Sequence, residues 1–324
     1  MVHFFNRINV CERVRRLGIF DAHCDVLYKM FLDPSIHFQD SNKLQVTLTG
    51  MIEAKTKIQC FAIYVPTTVH PELSFHAALY MVDLFFEKII KPNPQMKLIK
   101  SKADIEKLNN DEIGAILTLE GCDSIGKDLL KLKTLLRLGV TSVGLTWNYA
   151  NHVADGVLED RRAGLSKFGK EVVGLLNESQ TWIDVSHLSE KGFWDIIEWG
   201  DHPYASHSNC YSLCPHPRNL RDEQIEALIE RDSVIGITFF PPFLSGKSHA
   251  TMTDVLNHLE HICMLGGEKH VGFGSDFDGI DKMVTGLESI DGYRSLVNEL
   301  YKYYSDIQVK QFLYENMASR YPKI

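Results

Sequence analysis

Phe20-Asp21-Ala22-His23-Cys24-Asp25 follows directly on the apolar run Leu17 to Phe20, which has Gly18 inside it. The run reads as a short buried strand that ends at once in Asp21, His23 and Asp25. Side chains two apart at a strand end point the same way, so His23 and Asp25 reach toward one point in space. An imidazole and a carboxylate converging where a buried strand surfaces suit a divalent metal such as zinc. A His-x-Asp triplet is weak by itself. Its weight comes from the segments downstream that end in the same manner.

What repeats along the chain is a short buried strand followed by an amphipathic helix. Further apolar runs lie at Ile58 to Val65, Ile113 to Leu119, Thr141 to Leu145, Thr181 to Val185, Tyr204 to Ser206, Ser233 to Phe239 and His270 to Phe273. They are continuous rather than alternating, as parallel strands covered on both faces should be. Between them, Phe75 to Ile90 sets Leu79, Val82, Phe86 and Ile89 on one stripe. Leu129 to Leu138, Phe168 to Leu176, Gly192 to Trp199, Glu223 to Ile229 and Val255 to Leu265 behave alike. Eight strands alternating with helices predict an α/β fold of the (β/α)8 TIM-barrel type. The expected organisation is one catalytic domain over residues 1–324, with a short N-terminal extension and C-terminal helices. An open doubly wound sheet is the rival, although no strand leads into a Gly-x-Gly-x-x-Gly dinucleotide turn.

A barrel places its chemistry just after its strands. Here the first strand ends in His23 and Asp25, the third in Leu119-Glu120-Gly121 and the fourth in Trp147-Asn148. The fifth ends in Asp184-Val185-Ser186-His187, the sixth in Ala205-Ser206-His207-Ser208, and the eighth in Gly274-Ser275-Asp276-Phe277-Asp278-Gly279. One His or one Asp at a strand exit is ordinary loop chemistry; the set is not. Its donors are nitrogen and oxygen without thiolate, which suits two divalent ions about 3.5–4 Å apart better than a structural zinc. Glu120 is placed to bridge them with its two oxygens. Such a pair lowers the pKa of a shared water and supplies hydroxide as the nucleophile, with Asp276 the candidate proton acceptor.

The remaining composition narrows the function classes. The chain of 324 residues has 34 basic and 42 acidic side chains and a formal charge of -8, which argues against a phosphate-backbone binder. Cys11, Cys24, Cys60, Cys122, Cys210, Cys214 and Cys263 are odd in number and scattered, so a reducing cytosol fits better than a disulfide framework. Arg7, Glu12, Arg13, Arg15 and Arg16 interrupt any apolar segment of a secretory signal, and no run is long enough to span a membrane. The expectation is a cytoplasmic protein with a small-molecule substrate and neither nucleic acid nor membrane as partner.

The stretches Asp21 to Asp25, Leu119-Glu120-Gly121, Trp182 to His187, Ser206-His207-Ser208, Pro217-Arg218-Asn219 and Val271 to Gly279 together resemble the membrane (renal) dipeptidase family of zinc peptidases, within the amidohydrolase-like barrels. The resemblance implies that His23, Asp25 and Glu120 hold one zinc and that Glu120, His187 and His207 hold the other. It implies that Asp276 takes a proton from the nucleophilic water and passes it to the leaving amine. Arg218 would pair with the substrate's C-terminal carboxylate, a bidentate task that suits guanidinium. The implied reaction is hydrolysis of free dipeptides, L-Xaa-L-Xaa and L-Xaa-D-Xaa, by an enzyme that is often a homodimer. Mammalian members carry a His after Leu-Thr at the end of the fourth strand; here Leu145-Thr146 is followed by Trp147, so Trp147 and Asn148 become candidate substrate-binding residues. The alternative is another metal hydrolase on the same barrel, acting on a cyclic amide, lactone or phosphoester; a third reading is a barrel that has lost activity and serves as a scaffold. Arg218 favours a substrate with a free carboxylate. Cys24 is expected to pack away from the site, and Phe193, Trp194 and Trp199 to form helix core.

Overall fold

A computed structural model describes residues 18–322. The N-terminal extension with its Arg7, Glu12, Arg13, Arg15, Arg16 and Cys11, and the last two residues, lie outside them. Among the described residues nine strands form one parallel sheet: β1 (Ile19–Asp21), β2 (Thr56–Tyr64), β3 (Met96–Leu98), β4 (Ile113–Glu120), β5 (Val140–Gly144), β6 (Trp182–Asp184), β7 (Pro203–Tyr204), β8 (Ile235–Ile237) and β9 (Val271–Phe273). Their order is β7-β6-β5-β4-β2-β1-β9-β8, and a parallel bridge from Ala205 to Ile235 joins the two ends. Without β3 this is an eight-stranded barrel in chain order, the (β/α)8 architecture that the apolar runs predict. β3 pairs with the first half of β4 from Ile113 to Ala115. It has no counterpart among the expected strands, because three residues reading Met-Lys-Leu carry no run to detect.

The helices begin and end on local chemistry. Asp128 accepts the Leu130 amide at 2.8 Å to start Leu129–Leu138, which stops at Gly139 in the left-handed region. Ser166 and Ser189 cap Lys167–Glu178 and Glu190–Trp199 through the amides of Gly169 and Gly192. Phe193 is buried, as expected, but Trp194 and Trp199 are not core: they are 37% and 46% exposed. Trp199 lies under the Lys170 ammonium, 4.1 Å from the ring centroid, so a stripe position on that helix faces solvent and a cation.

Alternation along the strands separates two cores. Phe61 and Ile63, with Ala115, Leu117 and Leu119, turn to the helices and join the larger apolar cluster. Phe20, Ile58, Cys60, Ile116, Trp182 and Tyr204 form a second cluster, closed by Met317 and Tyr321 from the C-terminal segment. Trp182 stacks on Tyr204 at 4.4 Å and meets Tyr321 edge-on at 5.1 Å. Continuing by twos, β2 leads from Ile58 and Cys60 to Tyr64, β4 from Ile116 to Glu120, β6 from Trp182 to Asp184, and β7 from Tyr204 to Ser206. The apolar floor thus gives way to polar side chains at the carboxyl ends of the strands. Cys24 packs in the larger core, and the six cysteines of the described residues are free.

Candidate active site

At the carboxyl ends of the strands the structure brings His23, Asp25, Glu120, His187, His207, Arg218 and Asp276 together. His23 Nε2 lies 3.3 Å from Asp25 Oδ2, 3.4 Å from Glu120 Oε2 and 3.9 Å from Asp276 Oδ1. The other carboxylate oxygen of Glu120, Oε1, lies 3.1 Å from His187 Nε2, which is itself 2.9 Å from His207 Nε2. Glu120 therefore faces an imidazole with each oxygen. His23, Glu120 and His207 can converge on one cation, as can His23, Asp25 and Asp276.

The turn after β9 aims Asp276 inward. Asp276 and Asp278 both adopt left-handed backbone, at φ 66° and 69°, which Asp tolerates better than bulkier residues. The Asp276 amide donates to His23 O at 3.2 Å, locking this turn to the end of β1. A Cβ at Gly279 would stand 2.2 Å from Asp25 Oδ2, so the close approach of this turn to Asp25 requires glycine. The Asp278 carboxylate turns away and accepts the amides of Gln45 at 2.8 Å and Val46 at 3.0 Å, holding that loop against the barrel.

Proton bookkeeping fixes the two imidazoles. Asp184 accepts the Ser186 and Ser206 amides at 3.0 and 2.9 Å, the Ser186 hydroxyl at 2.7 Å, and the Ser206 hydroxyl. A serine hydroxyl has one proton, so Ser206 Oγ spends it on Asp184 and can only accept from His207 Nδ1, 2.6 Å away. His207 then carries its proton on Nδ1 and a lone pair on Nε2. His187 Nδ1 likewise donates to Asn148 Oδ1 at 2.9 Å, with the amide assigned from this contact, which leaves a lone pair on its Nε2. Two lone pairs face each other across 2.9 Å, beside a carboxylate oxygen. His23 Nε2 and Asp25 Oδ1 are buried without a hydrogen-bond partner. Such a donor set fits divalent cations, which would satisfy every one of these atoms.

The electrostatics of His187 and His207 agree. Burial pushes His187 down to about 4 and His207 well below the ordinary histidine value, and Arg218 adds to both. For His23 burial acts in the same direction, but Glu120 and Asp25 outweigh it and hold the group well above its ordinary value. Burial would raise Glu120, yet His23 and His187 keep it far below the carboxylate range. Asp25 is raised by burial and by Glu120. Asp276 is pushed up to about 8, first by burial and then by Asp25 and Glu120, against the pull of His23 and Arg218. Carboxylates that repel one another here call for positive charge between them.

Arg218 is buried at the edge of the cluster. Its Nη2 reaches His207 O at 3.2 Å and His187 Nε2 at 3.3 Å, while Nε and Nη1 have no partner. A cavity of about 190 Å³ opens over the cluster, with Arg218, Asp276, Trp147 and Asn148 in its wall. The sequence gives no warning of Tyr28 and Phe243, from the short helices Val26–Leu32 and Pro241–Leu244, or of Phe240 and Ile280, from loops, which also line that wall. Asp184 and Ser206 were visible in their motifs but not as the group that orients His207; the two-residue spacing of Asp184 and Ser186 at a strand end is the signal. His152, five residues beyond Trp147, does not line this cavity and lies in the wall of a neighbouring one.

Fold and site define a metallohydrolase on a (β/α)8 barrel. Residues 9–320 match the family model described as membrane dipeptidase, peptidase family M19, so the chain belongs to that family and is a metallo-dipeptidase. It is 28% identical over 320 residues to an uncharacterized dipeptidase of Schizosaccharomyces pombe, with 89% of this chain and 74% of that protein covered. The crystal structure of dipeptidase AC, a metallopeptidase of family M19, superposes with a TM-score of 0.89 at 27% identity, covering 94% of this chain and 98% of that one. A metallopeptidase from Rhodobacter sphaeroides, liganded with a phosphinate mimic of the dipeptide L-Ala-D-Ala, gives the same TM-score and coverage at 25% identity. Despite the word membrane in the family name, no helix of the described residues is long and apolar enough to cross one.

Proposed function

We propose that this chain hydrolyses free dipeptides, L-Xaa-L-Xaa and L-Xaa-D-Xaa, with two zinc ions held by His23, Asp25, Glu120, His187 and His207. The observation that carries the reading is the approach of His187 Nε2 to His207 Nε2 at 2.9 Å beside Glu120, whose two oxygens each meet an imidazole. His23, Asp25 and Glu120 are assigned to one ion, and Glu120, His187 and His207 to the other. When bound, two such ions acidify a shared water and polarise the scissile carbonyl. Asp276, at the mouth of the cluster with 15% of its side chain exposed, takes the water's proton at a carboxylate oxygen and returns it to the leaving amine. Arg218, whose Nη1 is buried without a partner, donates to the C-terminal carboxylate. Asn148 holds the tautomer of His187, and Trp147 packs 5.3 Å from the Tyr64 ring as wall rather than as acid or base.

Acceptance of a D-residue is supported by the L-Ala-D-Ala mimic bound to the Rhodobacter sphaeroides relative. A reducing, cytoplasmic location is supported by the six free cysteines of the described residues. The test is a hydrolysis screen of zinc-loaded protein against L,L- and L,D-dipeptides, tripeptides and N-blocked or amidated dipeptides. Cleavage of free dipeptides of both configurations is expected. Preferential opening of lactones or cyclic amides, with dipeptides untouched, would replace this reading with the other hydrolase class. Sedimentation of the same preparation tests the homodimer.

A further inference from the structure

Two cavities meet over the cluster, and they are unequal. The one holding Arg218 and Asp276 measures about 190 Å³; its neighbour measures about 550 Å³. Tyr64, Glu120 and Trp147 belong to both walls, so the Tyr64 and Trp147 rings form the partition and Glu120 sits under it. Small-molecule sites usually enclose about 300–1,000 Å³, so the smaller cavity is too tight for a whole substrate and the larger is not. Beyond the partition the larger wall is apolar over Val65, Pro66, Val69, Pro71 and Ala150. Its polar groups are mostly spoken for: Asp123 accepts from Asn151 at 3.2 Å, and Arg161 is held by Asp155.

Resting on the dipeptidase reading, we infer that the preferred substrates carry a bulky apolar amino-terminal residue and a small carboxyl-terminal one. The direction follows from chemistry. The carboxyl-terminal residue brings both the carboxylate for Arg218 and the leaving amine for Asp276, and only the smaller cavity has both groups in its wall: Arg218 also borders a third cavity of about 480 Å³, which lacks Asp276 and the rest of the cluster. The scissile carbonyl then lies at Glu120. The amino-terminal residue has only the larger cavity to enter. Trp147 and Tyr64 present ring faces and edges along that path, which favours aromatic and branched aliphatic side chains.

The test compares kcat/KM of the metal-loaded enzyme on Phe-Ala, Ala-Phe and Ala-Ala, in wild type and in Val69→Trp, which fills the larger cavity from a half-buried loop position. Apolar pocket differences are typically worth about 10–200-fold. Phe-Ala is expected to exceed Ala-Phe by at least about tenfold, and Val69→Trp to lose about tenfold on Phe-Ala while Ala-Ala changes by less than about threefold. Equal or reversed rates on Phe-Ala and Ala-Phe would overturn the inference while leaving the dipeptidase reading intact. So would Val69→Trp sparing Phe-Ala or depressing Phe-Ala and Ala-Ala alike. Failure to cleave any of the three would overturn the dipeptidase reading itself, and the inference with it. If Val69→Trp does not fold, the wild-type ratio decides.

Discussion

Replacing Ser206 by alanine removes one oxygen that is neither a proposed metal ligand nor a substrate contact, yet it should loosen a metal. Ser206 Oγ stands between Asp184 Oδ2 and His207 Nδ1, with 2.6 Å to the imidazole. Without it, His207 Nδ1–H loses its acceptor in a buried site and the imidazole is free to carry its proton on Nε2, where it cannot ligate. Loss of a partner that orients a ligating histidine typically costs about 10–100-fold in metal affinity. The same deletion strands a carboxylate oxygen of Asp184, so unfolding of the metal-free protein should become easier by about 1–3 kcal/mol. Competition against a chelating dye reads the first effect and urea unfolding of the apoprotein the second. Ser206→Thr keeps the hydroxyl and should restore both. Unchanged affinity in a folded Ser206→Ala protein would refute the tautomer argument, and with it the fit of His207 to a metal.

Three further substitutions separate the proposed roles. Glu120→Gln should cost more activity than any single change among His23, Asp25, His187 and His207, since its two oxygens meet His23 and His187; metal content and turnover near wild type would show that Glu120 is no bridge. Asp276→Asn should keep the metals but lower kcat by about 10²–10⁴-fold, because an amide accepts no proton; loss of metal would make Asp276 a ligand instead. Arg218→Met should cut kcat/KM on free dipeptides by tens to thousands of fold, as expected from about 2–5 kcal/mol for truncating a buried charge pair, and should hardly affect residual hydrolysis of dipeptide amides; equal losses on acid and amide would assign Arg218 to the fold or the metals.

The barrel was legible because parallel strands buried on both faces leave continuous apolar runs, and because each run ends abruptly in polar residues. Ile113 to Leu119 and Thr141 to Leu145 match β4 and β5 to within a residue at each end. Strand ends drift more where pairing is short: Ser233 to Phe239 shrinks to Ile235–Ile237, and Tyr204 to Ser206 becomes Pro203–Tyr204 followed by a single bridge at Ala205. β3 escapes because three residues are too few for any period. The candidate site's polar residues were readable from their place at strand exits, apart from Arg218, which only the resemblance of Pro217-Arg218-Asn219 pointed to. Its apolar walls were not, since Phe240 and Ile280 reach the cavity from loops, and Tyr28 from the short helix Val26–Leu32, whose placement depends on tertiary packing. The exposed Trp194 and Trp199 show the converse: a helical stripe of large rings reads as core until the neighbouring surface is known. The Asp184 network needed atomic detail, because its meaning lies in which proton goes where.

The central claim is tested most directly by titrating metal-free protein with zinc while following hydrolysis of an alanine dipeptide and the metal bound per chain. Activity should be absent without zinc, rise with added metal and break at two ions per chain. Full activity in protein shown by elemental analysis to hold no divalent metal, or saturation with none bound at His23, Asp25, Glu120, His187 and His207, would contradict it.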